Sequence, residues 1–121
     1  MSSNTPKVEK LKPMIIEDPD TGHEYTLEFT RKTVTKAEQA GLDVNRMESS
    51  AMTMLPKLFW AAFLAHHPHM TQEQTDKILF DGLGGLSEDE MGYLGKLYAV
   101  PFSTLVSGTD EGNPRRMAVK F

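Results

Sequence analysis

The segment Thr53–His67, TMLPKLFWAAFLAHH, decides the fold, because it is the most apolar stretch of the chain and contains its only tryptophan, Trp60. It has no glycine, and its one proline, Pro56, lies early enough to occupy the first turn of a helix. At about 100° per residue, one broad face collects Met54, Leu55, Leu58, Phe59, Ala62 and Phe63. Trp60 and Leu64 fall outside that face, where a surface helix usually carries charge. The segment therefore predicts a helix that is either buried on nearly all sides, or buried on one side and offered to a partner on another.

Length and composition indicate one soluble domain. The chain has 121 residues, of which 39% are hydrophobic and 25% charged. A chain of this length and composition can form a hydrophobic core without disulfides or a structural metal. The absence of cysteine excludes disulfides, thiolate metal ligands and cysteine nucleophiles, and it fits a reducing compartment. The formal net charge is −4 and the Lys and Arg residues are scattered, which disfavours a nucleic-acid-binding face. No apolar run approaches the roughly 20 residues that span a bilayer, and the first ten residues do not resemble a signal peptide. We expect a cytosolic protein without membrane contact.

The order of the predicted elements gives an α+β fold that is mainly α. An N-terminal β-hairpin is expected to pack on a small bundle of about four helices. A single globular domain is predicted over residues 13–108. A flexible N-terminal arm over residues 1–12 and a flexible C-terminal tail over residues 109–121 are expected to flank it, because the first is polar and the second is polar and then basic and apolar.

The hairpin is predicted from alternating side chains and from its turn. Tyr25, Leu27 and Phe29 alternate with polar residues, so these three large apolar side chains share one face of a strand. In the turn before them, Pro19 fixes the backbone and Gly22 can adopt the left-handed conformation. Because a two-stranded ribbon is marginal alone, this apolar face is expected to pack on the helices.

Local start and stop signals place the helices. The first two predicted helices are Lys32–Ala40, which Gly41 ends, and the central Thr53–His67. A third helix is predicted to begin after Thr71, where Thr71 and Gln74 form a capping box. The fourth is predicted to begin at Ser87, with a Ser87–Glu90 capping box, and to run to about Ser107, with Gly108 as its cap. Pro101 is expected to kink the last helix.

Three histidines, His66, His67 and His69, form the one group of residues that suggests metal chemistry. Two are sequence neighbours that project in different directions, and the spacing that aligns two imidazoles on one helical face is absent. We interpret them as the cationic end of the central helix, where they meet the negative end of its dipole. The chain also lacks a nucleophile elbow, a paired-carboxylate site and a phosphate-binding loop. We therefore expect no enzymatic activity, no cofactor and no metal.

Methionine is plentiful, at eight residues, and Met47, Met52 and Met54 crowd the approach to the central helix. Methionine supplies adaptable apolar surface at promiscuous binding faces, and it also fills gaps in cores. The residues alone leave both interpretations open.

Three segments carry a resemblance to a known family. They are FTRKTVTKAEQAGLDV (Phe29–Val44), LPKLFWAAFLAHHP (Leu55–Pro68) and LGKLYAVPFSTLV (Leu94–Val106). In this order they resemble small phage and prophage proteins that are similar to the tail assembly chaperones of long-tailed phages. The markers are Arg31, Val34, Glu38, Gly41, Leu58, Phe59, Phe63, His67, Tyr98 and Pro101. The match extends from about Ile15 to Ser107.

The resemblance implies a non-catalytic protein of the host bacterial cytoplasm, absent from the mature virion. It would coat the apolar tape-measure protein, keep it soluble and help to recruit tail-tube subunits. The partner-binding surface is predicted to contain Trp60, Phe63, Leu64, Met52 and Met54, and a second copy of the chain is a further candidate partner. The competing hypothesis is a structural tail or head–tail connector component that is retained in the virion.

Overall fold

The fold starts with an antiparallel β-hairpin. The computed structural model describes residues 11–106 and 117–121, without the side chains of 104–106. Strand β1 is Met14–Glu17 and strand β2 is Glu24–Leu27, with Ile16 opposite Tyr25 in the register. Gly22 has a φ of +76° in the turn, which is the left-handed conformation that glycine adopts without strain. The predicted hairpin is therefore confirmed.

Helices make up most of the described chain after the hairpin. In that part, α1 is Arg31–Gln39, α2 is Ala51–Phe63, α3 is Gln72–Lys77 and α4 is Glu88–Val106, with a 3-10 turn at Val44–Arg46 and a π-helical segment at Ile78–Gly82. The predicted fold class is confirmed: the protein is α+β and mainly α, with an N-terminal hairpin on four α-helices.

The predicted helix signals operate in the structure. The N–H of Gln74 donates to Thr71 Oγ1 at 3.1 Å, and the N–H of Thr71 donates to Gln74 Oε1 at 2.9 Å. Ser87 and Glu90 make the same reciprocal pair at 3.1 and 2.8 Å. Gly41 ends α1 with a φ of +101°. Each of these devices satisfies backbone groups that a helix end leaves without a partner.

The central helix differs from its prediction at both ends. It begins two residues earlier and ends four residues earlier than the expected Thr53–His67. Ser50 is the N-cap, and its side chain makes no capping bond. Pro56 consequently lies inside α2 instead of in its first turn. Because proline has no N–H, the carbonyl of Met52 has no helical donor at that position.

Helix α2 lies at the centre of the core and packs against α1, α3, α4 and β2. The hairpin reaches it through the face that the alternation predicted: Leu27 and Phe29 are buried, and Tyr25 is half-buried with its ring 5.5 Å from that of Phe63. The buried apolar residues are Leu27, Phe29, Val34, Ala37, Leu42, Met54, Leu58, Phe59, Ala61, Ala62, Phe63, Leu64, Leu79, Leu94, Leu97 and Tyr98.

The two ends of the described chain differ. Leu11 packs against the core and the Tyr93 hydroxyl donates to the carbonyl of Lys12, so these two residues of the predicted flexible arm are attached to the folded part. Residues 117–121 are exposed and form neither helix nor strand. The rest of the predicted arm, most of the predicted tail and the predicted cap at Gly108 lie outside the described residues. No helix in the described ranges has the length and apolar character needed to cross a membrane.

Candidate functional site

Three of the predicted partner-binding residues lie in the core. Phe63 is fully buried, Met54 is 2% exposed and Leu64 is 4% exposed. The prediction that Leu64 lies on the surface is therefore wrong. Helix α1 packs along α2, and Leu64 shares a pocket wall with Thr30, at the start of α1. The helical period of one segment shows how its side chains are distributed, but it does not show how many neighbours surround them.

Trp60 is half-buried and held in place by a hydrogen bond. Its indole Nε1–H donates to the carbonyl of Met70 at 2.9 Å. Met70 lies just before α3, which packs against α2. Trp60, the other residue outside the broad apolar face of the helix, is thus attached to the connection between α2 and α3. It also packs partly against the core. Because its N–H has a hydrogen-bond partner within the fold, Trp60 has a structural role whether or not it also binds a partner.

Met52 is the one predicted site residue that is clearly on the surface, at 83% exposed. It lies in the first turn of α2 and borders an apolar groove of about 120 Å³. The groove is lined by Ala51, Met52, Leu55, Pro56, Leu79, Phe80, Gly85 and Leu86. We call this the apolar groove. An enclosed apolar cavity of about 150 Å³ holds a benzene ring, so the apolar groove has room for about one large apolar side chain of a partner.

Phe80 forms the opposite wall of the apolar groove and is 50% exposed. It belongs to the π-helical segment, in which one residue more per turn changes the direction of successive side chains. Leu79 points into the core while its neighbour Phe80 stays on the surface. Single π-helical turns occur frequently at functional sites, and this one places a large aromatic side chain beside the apolar groove.

The loop after the π-helical segment closes the same side of the groove. The N–H of Gly85 donates to the carbonyl of Leu79 at 2.8 Å, and the N–H of Leu83 donates to the carbonyl of Ile78 at 2.8 Å. Gly85 has a φ of +98°, which side chains other than glycine rarely adopt. The wall that carries Phe80 is therefore fixed by backbone hydrogen bonds.

Sequence reasoning missed Phe80. The available signal was the run Ile78-Leu79-Phe80, because three consecutive apolar residues cannot all lie on one face of a regular helix.

The histidine group has a structural role that the sequence did not reveal. The backbone N–H of Thr26 donates to His67 Nε2 at 3.1 Å, so this nitrogen carries no proton and the imidazole is neutral. Burial, with smaller contributions from His66 and His23, lowers the pKa of His67 from its ordinary 6.5. His67 thus links β2 to the turn after α2. Together with the bond from the Glu28 N–H to the Ala62 carbonyl, at 3.0 Å, it anchors the hairpin.

His66 and His69 are exposed, and His66 Nε2 lies 3.3 Å from Glu28 Oε1. Within residues 11–106 and 117–121, no group of three or more His, Cys, Asp or Glu side chains is arranged to hold a metal ion. The chemistry available around the apolar groove is contact with apolar groups.

Comparison with known proteins gives a family. The model of a domain of unknown function, DUF5055, matches residues 1–121, and the chain belongs to that family. No curated protein and no solved structure matches the chain.

Proposed function

We propose that this protein is a tail assembly chaperone of a long-tailed phage or prophage. In this function it binds the tape-measure protein and keeps it soluble while tail-tube subunits assemble. The proposal is supported by the resemblance of the segments that contain α1, α2 and α4 to that family. The structural observation that carries it is the apolar groove, which has Met52 on one wall and Phe80 on the other.

The size of the apolar groove fits a chaperone that binds its partner weakly and reversibly. Fully burying a Phe or Met side chain contributes about 1.5–3 kcal/mol, so covering the exposed parts of Phe80 and Met52 yields on the order of 3 kcal/mol. Association and side-chain ordering oppose that gain. One copy therefore binds weakly, and a long apolar partner retains many copies only while it offers many sites. Weak contacts permit release when the tail tube closes around the tape measure.

Methionine and phenylalanine also suit a partner without one fixed sequence. The unbranched Met52 side chain adapts its shape to different apolar groups, while the backbone hydrogen bonds around Leu79 and Gly85 hold the Phe80 wall. A rigid wall facing an adaptable one accepts varied apolar side chains. This is the property required for binding along a long tape-measure protein.

Co-expression with the tape-measure protein of the same phage or prophage tests the proposal. We expect the wild-type chain to increase the soluble fraction of the tape-measure protein, and the double variant Met52→Ser with Phe80→Ser to lose most of that increase. Ile15→Ser is the matched control, because Ile15 is 51% exposed, as Phe80 is, and lies on β1 away from the groove. Circular dichroism must show that the variants are folded. If the double variant and the control keep tape-measure protein equally soluble, the groove does not bind it.

Mass spectrometry of purified virions separates this function from the competing one. A tail assembly chaperone leaves before the particle is complete, so we expect the protein in lysates and not in virions. Stoichiometric amounts in virions would instead support a structural tail or head–tail connector component and would contradict the proposal.

A further inference from the structure

A second groove, of about 340 Å³, lies between the hairpin and the π-helical segment. Its apolar lining comes from both sides: Ile16 and Tyr25 are cross-strand neighbours on the hairpin, and Ile78 and Leu83 lie in and just after the π-helical segment. Its remaining lining residues are Glu17, Asp18, Pro19, Asp20, Asp81 and Gly82. We call this the acidic groove.

The acidic groove combines an apolar interior with negative charge. Four of its lining residues are carboxylic acids, and the described lining includes no Lys or Arg. Asp18 accepts a hydrogen bond from the N–H of Asp20 within the turn, at 2.9 Å, which explains that one side chain by turn chemistry. Asp20 and Asp81 are exposed and line the groove from two different parts of the fold, the hairpin turn and the π-helical segment. An occupant that matches both properties is an extended segment in which apolar side chains alternate with other residues and basic side chains flank them.

Residues 115–121 of this same chain, RRMAVKF, have that composition. Met117, Val119 and Phe121 recur with a period of two, so in an extended segment they share one face. All three are exposed in the structure. Arg115, Arg116 and Lys120 supply three positive charges within seven residues, whereas the whole chain has a net charge of −4. This basic segment is therefore also apolar on one side, and it is complementary to the acidic groove.

The geometry favours docking between two copies over docking within one. The π-helical segment leads through the short loop Leu83–Ser87 into the start of α4, so the acidic groove lies near the N-terminal end of that helix. Helix α4 has 19 residues, and at 1.5 Å per residue it is about 28 Å long. The eight residues 107–114 reach at most about 28 Å when fully extended. The linker can therefore span at most about the length of α4, a limit that does not apply to docking on a second copy.

We propose that the acidic groove binds residues 115–121 of a second copy of this chain. The side chains of Met117, Val119 and Phe121 contact the apolar interior formed by hairpin and π-helical segment. The basic side chains lie near Asp20 and Asp81. Exchange of the two segments between two copies makes a closed, symmetric pair. The acidic groove and the apolar groove have no lining residue in common, so this association is independent of the proposed tape-measure binding.

Charge reversal in the full chain, measured by sedimentation equilibrium, tests the proposal. The segment variant carries Arg115→Glu, Arg116→Glu and Lys120→Glu, and the groove variant carries Asp20→Lys and Asp81→Lys. The matched control, Glu38→Lys with Glu48→Lys, makes the same change in net charge as the groove variant, at exposed residues outside the acidic groove. Circular dichroism checks that all of them fold.

The expected pattern is specific to this contact. Wild type and control have twice the mass of one 13.6 kDa chain, while the segment variant alone and the groove variant alone each fall to the mass of one chain. An equimolar mixture of the two variants returns to twice that mass, because each segment then meets a groove of opposite charge. A wild-type chain that is monomeric at every concentration overturns the proposal. Docking of the segment within its own copy would give this monomeric mass. A doubled mass that survives in either variant, or a mixture that stays single, also overturns the proposal.

Discussion

Leu64 distinguishes a core interpretation of α2 from a surface interpretation. Its side chain is 4% exposed. Truncation of a buried leucine to alanine lowers the free energy of unfolding by about 2–5 kcal/mol, because the favourable burial of the removed carbon atoms is lost and a cavity remains in their place. For Leu64→Ala we expect a loss of about 3 kcal/mol in the free energy of unfolding, from the middle of that range. This is a large part of the total stability of about 5–15 kcal/mol that a protein of this kind has.

Urea denaturation measures this change, with the fluorescence of the only tryptophan, Trp60, and circular dichroism as two probes. For an m-value of about 2 kcal/mol/M, the loss moves the midpoint of Leu64→Ala down by about 1.5 M. Met52→Ala is the matched control in the same helix, because Met52 is 83% exposed. Its expected effect is within about 0.5 kcal/mol of wild type.

Two outcomes would refute this reasoning. A Leu64→Ala variant as stable as wild type would show that Leu64 is not part of the core and would support the surface interpretation. A Met52→Ala variant as unstable as Leu64→Ala would show that Met52 belongs to the core, and the apolar groove would then lose one of its walls.

Two further predictions concern hydrogen bonds made by side chains of the α2 region. Trp60→Phe keeps most of the ring but leaves the carbonyl of Met70 without its donor, so we expect a loss of about 1 kcal/mol, measured by urea denaturation followed by circular dichroism. His67 has a pKa below 6.5 in the folded protein, so the unfolded chain binds the proton first as the pH falls. Its contribution to stability is therefore present above 6.5 and lost as the pH falls through the folded-state pKa. Between about pH 7.5 and pH 5, the free energy of unfolding should fall more in wild type than in His67→Ala; equal slopes would contradict the role of His67 as acceptor for Thr26.

The sequence predicted those features that depend on local chemistry. The hairpin comes from the alternation through Leu27, and its turn from the conformation of Gly22. The capping boxes at Thr71 and Ser87 need only residues three positions apart. In each case the partners are close in the chain, so the pattern that predicts the element also contains the groups that stabilise it.

Features that depend on distant partners were not predictable in this way. Leu64 is buried although its position on the helix predicts exposure, and the attachment of Trp60 depends on the carbonyl of Met70. No sequence pattern identifies His67 as the acceptor for the N–H of Thr26, 41 residues away. A helical period shows which side chains share a face, while tertiary packing decides whether that face meets solvent.

The candidate site illustrates the same division. Met52 was selected because methionines cluster before α2, and it is exposed as a binding residue requires. Phe80 was not selected, because no sequence pattern predicted the π-helical segment that contains it or its place with Met52 in the lining of the groove. Of these two lining residues of the apolar groove, the sequence predicted Met52 and did not predict Phe80.

Photo-crosslinking from the apolar groove tests the central claim most directly. A photoreactive phenylalanine analogue is placed at Phe80 or, as a control of equal exposure, at Ile15, and each variant is co-expressed with the tape-measure protein. We predict irradiation-dependent crosslinks to the tape-measure protein from position 80 and few or none from position 15. Crosslinks from position 15 alone, or equal crosslinking from both positions, would contradict this claim, since the apolar groove would then not be the surface that contacts the tape-measure protein.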